Sequence, residues 1–288
     1  MKNNRKIRIA IQKSGRLNEE SIRMLKECGI EFENGMNKLK SSAINFPMEV
    51  LFLRDDDIPK YVEQGVADIG IVGENVLVES TAEVKVIEQL GFGKCRLSIA
   101  VPKEKIYTGV SSLAGTRIAT TYSNVLQKFL AEKAVSAEIT PISGSVEIAP
   151  GIGLADSICD IVSSGSTLFS NGLKEVETVM QSQAVLIGGN NCDGETTAVI
   201  DRLLFRMRAV RKAKHNKYVL LNAPNEKLES ICALIPGMKS PTIVPLAEKG
   251  WSSVHSVIEE DRFWEIIESL RDAGAQGILV VPIEKMVI

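Results

Sequence analysis

Residues 156–168 run Asp156-Ser157-Ile158-Cys159-Asp160-Ile161-Val162-Ser163-Ser164-Gly165-Ser166-Thr167-Leu168. The apolar pulse from Ile158 to Val162 has the length of a short buried strand. It empties into Ser-Ser-Gly-Ser-Thr, then into Leu168-Phe169 and an amphipathic continuation. A strand opening onto a small-residue loop and a helix start makes a phosphate cradle. The loop N–H groups converge, Gly165 admits a close approach, the hydroxyls donate, and the helix N-terminus is the positive end. Charge-assisted hydrogen bonds contribute roughly 1.5–3 kcal/mol each, so about four donors hold a phosphate monoester. Asp156 and Asp160 add acceptors, and a sugar phosphate needs acceptors beside donors. Taken alone, the same residues also describe an ordinary Ser/Gly turn before a capped helix.

The pattern recurs earlier in the chain. Arg8-Ile9-Ala10, with Ser14 and Leu17 following, matches Arg117-Ile118-Ala119, with Ser123 and Leu126, in spacing and type. Ala67-Asp68-Ile69 with Gly73 parallels Cys159-Asp160-Ile161 with Gly165. Each is a strand, a loop and a helix start. Two echoes in the same order predict two lobes of similar βα build. The ligand then belongs in the cleft between them, at strand C-termini. The loops at 12–16 and 163–167 face that cleft.

The rest of the chain fits this frame. Strands are predicted at 8–11, 48–53, 67–73, 84–90, 96–101, 117–121 and 183–188. A helix capped by Asn18 runs to about Glu27, a polar excursion or hairpin spans 30–47, and Asp57 caps a helix closed by Gly65. Val199, Leu203, Met207 and Val210 mark one face of a helix over 195–214. The tail changes rhythm: strands at 218–221, 242–246, 251–258 and 277–282 alternate with helices at 226–234 and 262–273. That βαββαβ order is ferredoxin-like. The predicted domains are 1–96 with 183–214, 97–182, and 215–288.

Composition narrows the chemistry. A net charge of −2 argues against a nucleic-acid partner read by bulk charge. Five dispersed cysteines (Cys28, Cys95, Cys159, Cys192, Cys232) without a CxxC pair suit reduced thiols. His215 and His255 are the two histidines, too few for a His-based zinc site or a Ser-His-Asp triad. No signal-like or membrane-spanning apolar run is present, so a soluble cytoplasmic protein is expected. Lys13, Arg16, Arg54 and Arg96 sit at predicted strand ends and suit pyrophosphate or triphosphate. Asp68 and Glu74 are candidates to orient a metal or a base, and Glu147 to hold a ribose hydroxyl.

These residues lie in blocks that resemble the long form of the ATP phosphoribosyltransferase family over essentially the whole chain. The blocks are 8–17, 54–59, 68–77, 95–98, 144–150, 153–156, 160–168 and 240–246. The resemblance implies two periplasmic-binding-protein-like lobes and a ferredoxin-like regulatory domain. It implies transfer of a phosphoribosyl group from phosphoribosyl pyrophosphate to ATP, feedback inhibition by histidine, dimers or hexamers, and Mg²⁺ carried on substrate, with no firm metal ligand. Glu147, Asp156, Asp160, Ser163, Ser164, Gly165, Ser166 and Thr167 then hold phosphoribosyl pyrophosphate. Lys13, Gly15, Arg16, Arg54, Asp68, Glu74 and Arg96 meet ATP or pyrophosphate. Arg16, Asp156 and Asp160 are the expected catalytic groups, and Asn222, Met238, Thr242 and Gly277 the histidine contacts. One departure is Gly151, where some long-form members carry Arg. The competing reading is a two-lobed binding or regulatory protein without catalysis.

Overall fold

The computed structural model describes residues 6–33, 39–190 and 193–287. In chain order the elements are β1 (Ile7–Gln12), α1 (Arg16–Glu27), β2 (Lys40–Ser42), β3 (Met48–Leu53), α2 (Ile58–Glu63), β4 (Ile69–Gly73), α3 (Glu74–Ser80) and β5 (Lys85–Gln89). There follow β6 (Cys95–Pro102), β7 (Arg117–Thr120), α4 (Ser123–Glu132), β8 (Glu138–Pro141), β9 (Ser157–Val162), α5 (Ser166–Ser170), β10 (Leu173–Ser182), β11 (Ala184–Gly188) and α6 (Gly194–Lys214). The chain ends with β12 (Asn216–Pro224), α7 (Leu228–Leu234), β13 (Thr242–Pro245), β14 (Trp251–Glu259), α8 (Glu260–Asp272) and β15 (Gln276–Pro282). No helix among the described residues is long and apolar enough to cross a membrane. The chain divides into two compact units, residues 1–200 and 201–288.

The first unit carries two mixed sheets, ordered β2-β3-β1-β4-β11-β5 and β10-β6-β9-β7-β8. Their centres are built alike. In one, β3, β1 and β4 are parallel and β11 lies antiparallel against β4. In the other, β8, β7 and β9 are parallel and β6 lies antiparallel against β9. β1 and β4 read as near-continuous apolar runs, as strands covered on both faces must. Each sheet takes its antiparallel strand from a crossover, β5 to β6 one way and β10 to β11 the other. The crossovers are paired: Leu90 N–H donates to Ala184 O (2.9 Å) and Ala184 N–H to Phe92 O (2.9 Å). This is the two-lobed architecture of periplasmic binding proteins, with a double-stranded connection between the lobes.

Three buried polar groups fix that connection. Asn75, at the start of α3, donates through Nδ2 to Tyr122 Oη (3.0 Å) and accepts through Oδ1 from Ser182 Oγ (2.7 Å), while its own N–H reaches Ser182 Oγ (3.1 Å). The network ties β4–α3 of one lobe to the β7–α4 turn of the other. Truncating Asn75 removes the amide donor to Tyr122 Oη and the acceptor of the Ser182 hydroxyl, while the backbone bond to Ser182 Oγ remains. A buried group left unsatisfied costs about 1–3 kcal/mol. Asn75→Ala is therefore expected to lower the melting temperature by several degrees, measured by calorimetry.

Several local readings are corrected. Asn18 does not cap α1; its Nδ2 donates to Gln12 O (2.6 Å), and the helix begins two residues earlier behind Gly15. Asp57 makes no capping bond and belongs to a 3₁₀ turn over 55–57. The 30–47 excursion supplies β2, antiparallel to β3, and a bridge from Phe32 to Ala43, with 34–38 outside the described residues. The continuation beyond Leu168 turns after five residues of α5 and returns as the ten-residue strand β10.

The second unit has the sheet order β13-β14-β12-β15 with every neighbour antiparallel. That is the ferredoxin-like arrangement. One face alternates Val219, Leu221, Ala223 and Val254, Ile258 into a core against Ile231 of α7 and Phe263 and Leu270 of α8. The other face bears Tyr218, Leu220 and Asn222 beside Ser253 and His255.

Candidate active site

The C-terminal ends of β3, β1 and β4 are neighbours, so the turns leaving them converge. Lys13 N–H bonds to Leu53 O (2.7 Å), which joins the β1 turn to the β3 turn. Gly15 takes φ 91° with open space around any added Cβ, so backbone conformation rather than room selects glycine. Arg16 Nε lies 3.4 Å from Glu20 and Arg54 Nε 3.3 Å from Asp56, with the arginine side chains 70% and 75% exposed. The Arg54–Asp56 pair is open to water at both ends and contributes ~0–1 kcal/mol, while in the Arg16–Glu20 pair only the arginine end is open, Glu20 being 14% exposed. Both guanidiniums are free to exchange those partners for a phosphate. Glu74 opens α3 at the end of β4, half-buried.

The second lobe presents its own strand ends. β9 delivers Ser163, Ser164, Gly165, Ser166 and Thr167, with Gly165 left-handed at φ 79°. The Ser164 and Ser166 hydroxyls hydrogen-bond each other at 3.0 Å. α5 is five residues long, so its dipole adds little, and any cradle rests on individual N–H groups and hydroxyls. Asp160 projects from the β9 face that carries Ile158 and Val162. Burial pushes its pKa up, its Oδ1 bond from Ile161 N–H (2.8 Å) opposes that, and the Glu147 charge raises it further. Glu147 stands in a 3₁₀ turn over 146–148 that Val146 anchors on the core beneath. Asp160 thus stands on the strand that feeds the Ser/Gly loop, with Glu147 in electrostatic reach of it.

A cavity of about 280 Å³ connects the lobes, lined by Arg54, Asp55 and Val76 from one side and Thr121, Tyr122 and Ser143 from the other. The start of α4, the counterpart of α1, is already filled. Glu79 accepts from Asn124 N–H and Val125 N–H, both at 3.0 Å.

Two expected site residues belong elsewhere. Asp68 precedes β4, and its carboxylate accepts Arg8 N–H (2.7 Å) while its own N–H returns to Arg8 O (2.9 Å). Asp156 precedes β9 and does the same with Arg117, at 2.8 and 2.9 Å. The equivalent of Asp68 is therefore Asp156, not Asp160. Both are strand-end clasps at the N-terminal edge of their sheets. Asp156 is separated from Ser163 by the length of β9, about 20 Å at ~3.3 Å per residue. Neither reaches the cleft, and Asp156 is withdrawn as a ribose acceptor and catalytic group. Arg96 is also corrected: its Nε and Nη2 fork onto Glu175 at 2.5 Å each, so it is not a free cation. Asn75, Glu79, Tyr122 and Glu175 were missed. For Tyr122 the signal was present, since it lies beside Ser123 in the echoed strand–loop block.

Within the second unit, Asn222 and Gly277 adjoin; a Cβ on Gly277 would lie 3.3 Å from Asn222 Nδ2. Thr242 pairs with His255 on the same open face. Met238 lines a separate cavity with Asn216, Glu259 and Arg262.

The family model described as ATP phosphoribosyltransferase matches residues 54–209, and the model for that family's C-terminal domain matches 213–285. The chain is 62% identical to the ATP phosphoribosyltransferase of Cytophaga hutchinsonii over 281 residues, 98% of each chain. It is 57% identical to that of Bacteroides fragilis over 282 residues, 98% of this chain and all of the other. Among solved structures it resembles the ATP phosphoribosyl transferase (HisG:HisZ) complex from Thermotoga maritima, at 28% identity and TM-score 0.60, covering 70% of this chain and 98% of that one.

Proposed function

The chain belongs to the ATP phosphoribosyltransferase family, in its long form, and we propose that its cleft seats phosphoribosyl pyrophosphate on the second lobe and ATP phosphates on the first. The enzyme joins N1 of ATP to C1 of phosphoribosyl pyrophosphate, releasing pyrophosphate, as the first step of histidine biosynthesis. The observation that carries the division is chemical asymmetry across one cleft. Hydroxyls and carboxylates gather at the β9 end, and exposed guanidiniums gather at the β1 and β3 ends.

Displacement at C1 passes through an oxocarbenium-like state and needs no protein nucleophile. The protein's work is positioning and charge stabilisation. Residues 163–167 hold the 5′-phosphate, and Asp160 with Glu147 accepts the ribose hydroxyls. Arg16, Arg54 and Lys13 neutralise the leaving pyrophosphate or the ATP phosphates, with Gly15 letting the backbone approach and Glu74 bordering the site. Mg²⁺ arrives on the substrate, whose phosphate oxygens suit a hard cation. The ferredoxin-like unit binds histidine as a feedback inhibitor through Asn222, Thr242, Gly277 and Met238. A cytoplasmic homo-oligomer, dimer or hexamer, completes the reading; exposed Leu279, Val280 and Val281 on edge strand β15 support a subunit contact.

An absorbance assay for adduct formation from ATP and phosphoribosyl pyrophosphate, with and without histidine, tests the whole reading. Ser164→Ala combined with Thr167→Ala tests the cradle. Water replaces part of each lost hydroxyl, so KM for phosphoribosyl pyrophosphate is expected to rise about tenfold with KM for ATP unchanged. An unaltered KM would remove the loop from the site.

A further inference from the structure

One charged constellation in the second lobe has no part in the reaction as derived. Glu175, on β10, receives the Arg96 fork and also the Ser98 hydroxyl, at 2.8 Å. The remaining Arg96 nitrogen, Nη1, donates to the carbonyl of Ser163 at 3.3 Å. Ser163 is the first residue of the 163–167 loop. Arg96, Ser98 and Asp160 share one face of the sheet, because Ser98 pairs with Asp160 and Arg96 with Val162. The constellation therefore lies beside the acid proposed to hold ribose.

The strand is deformed to make this contact. Glu175 pairs with Ala100, but Glu177 pairs with Ile99, so a bulge falls at Val176. In a regular strand residues two apart share a face. Here the bulge sends Glu177 to the opposite face, where it accepts the Tyr107 hydroxyl (3.1 Å). Glu175 alone is left aimed at Arg96 and Ser98. Bulges recur beside active sites because they re-aim single side chains.

We propose that Glu175 is a positioning residue for the phosphate-binding loop, acting through Arg96 on the Ser163 carbonyl. The proposal rests on reading 163–167 as the 5′-phosphate cradle. The loop needs such support: it is largely exposed, and the helix behind it is five residues long. An unpaired Arg96 would be drawn to the bound phosphate itself, and its planar fork would displace the donors the loop supplies. Held bidentate by Glu175, the guanidinium presents one N–H to the loop backbone and keeps its charge off the substrate. It thereby fixes where the Ser163–Ser164 peptide points.

The test is steady-state kinetics on the full-length enzyme, with melting temperatures, for Glu175→Gln, Glu175→Asp, Arg96→Lys and the Ser164→Ala/Thr167→Ala double variant. For Glu175→Gln, KM for phosphoribosyl pyrophosphate is expected to rise about tenfold, with kcat and KM for ATP within about twofold, as for a displaced positioning group. Glu175→Asp keeps the carboxylate and recovers most of the affinity. Arg96→Lys keeps the charge but not the fork, and moves the same constant in the same direction even if Glu175→Gln folds poorly. If the double variant raises that KM and neither Glu175→Gln nor Arg96→Lys does, the positioning role is overturned while the loop reading stands. A double variant without effect overturns the loop reading and this proposal with it. Lower stability with unchanged KM makes the pair structural only, and a selective rise in KM for ATP makes Arg96 an ATP contact; either result overturns the proposal.

Discussion

Asp160→Asn is expected to lose about a hundredfold in kcat/KM for phosphoribosyl pyrophosphate while melting at or above the wild-type temperature, because a charge-assisted bond of ~1.5–3 kcal/mol is lost to each hydroxyl it holds. The stability half of that expectation follows from burial. Asp160 is pushed up in pKa chiefly by desolvation, with Glu147 adding to it. Its folded pKa lies above its unfolded one, so the ionised side chain costs stability at neutral pH, and the cost is relieved as pH falls through the folded pKa. An isosteric amide removes that cost. Asp156→Ala should behave in the opposite way. The Arg117 N–H holds the Asp156 pKa down, with the Arg117 and Lys105 charges contributing. Its stabilisation is present above the unfolded pKa and is lost as pH falls through the folded one. Removing it costs about one hydrogen bond, ~1 kcal/mol, with kcat/KM unchanged. Acidification separates the pair again. KM for phosphoribosyl pyrophosphate should climb at a higher pH than a surface aspartate would dictate, since Asp160 loses its charge early. Calorimetry and pH-dependent kinetics on both variants check this. Equal behaviour of the two aspartates would refute the geometry.

That contrast also marks where the sequence stopped being legible. The matched spacing at Arg8 and Arg117 revealed two similar lobes, because β1 and β7 each run parallel to a neighbour in separate sheets and each empties into a helix, α1 and α4. The family resemblance then gave the reaction. The register of the echo was misjudged. Asp-Ile recurs at 68 and 160, and the apolar residues that flank Asp160 within β9 do not by themselves distinguish an aspartate before the strand from one inside it. Only pairing shows that Asp68 and Asp156 clasp Arg8 and Arg117. β10 was missed for a related reason. Bulges after Glu175 and after Thr178 break its period of two, so Lys174 to Ser182 reads as neither strand nor helix. Arg96 looked like a free cation because its partner is 79 residues away. Long-range pairing of charges leaves no local pattern.

Gly277→Val is expected to raise the histidine concentration for half-inhibition roughly thirtyfold, within the 1–3 kcal/mol typical of effector coupling, while leaving uninhibited turnover intact. Gly277 takes φ 57°, and a side chain there would press on Asn222 Nδ2. Both residues border the open face of the ferredoxin-like sheet, away from the core that α7 and α8 cover. A left-handed valine is strained by about 1–2 kcal/mol, so Asn222→Ala provides a second variant without that strain and should weaken inhibition in the same direction. Met238 behaves differently in the geometry. Its cavity includes Asn216 and Glu259, and its neighbour Gly237 lies against Ser256 on the face that α7 and α8 cover, whereas Asn222 lies on the open face. One histidine molecule does not contact both faces of the sheet. If Met238→Ala also relieves inhibition, its contribution comes from a neighbouring subunit's copy of the domain, and relief should then depend on assembly, read as inhibition against enzyme concentration. If Gly277→Val and Asn222→Ala both leave inhibition unchanged, histidine acts somewhere other than this face, and its carry-over to Asn222 and Gly277 fails.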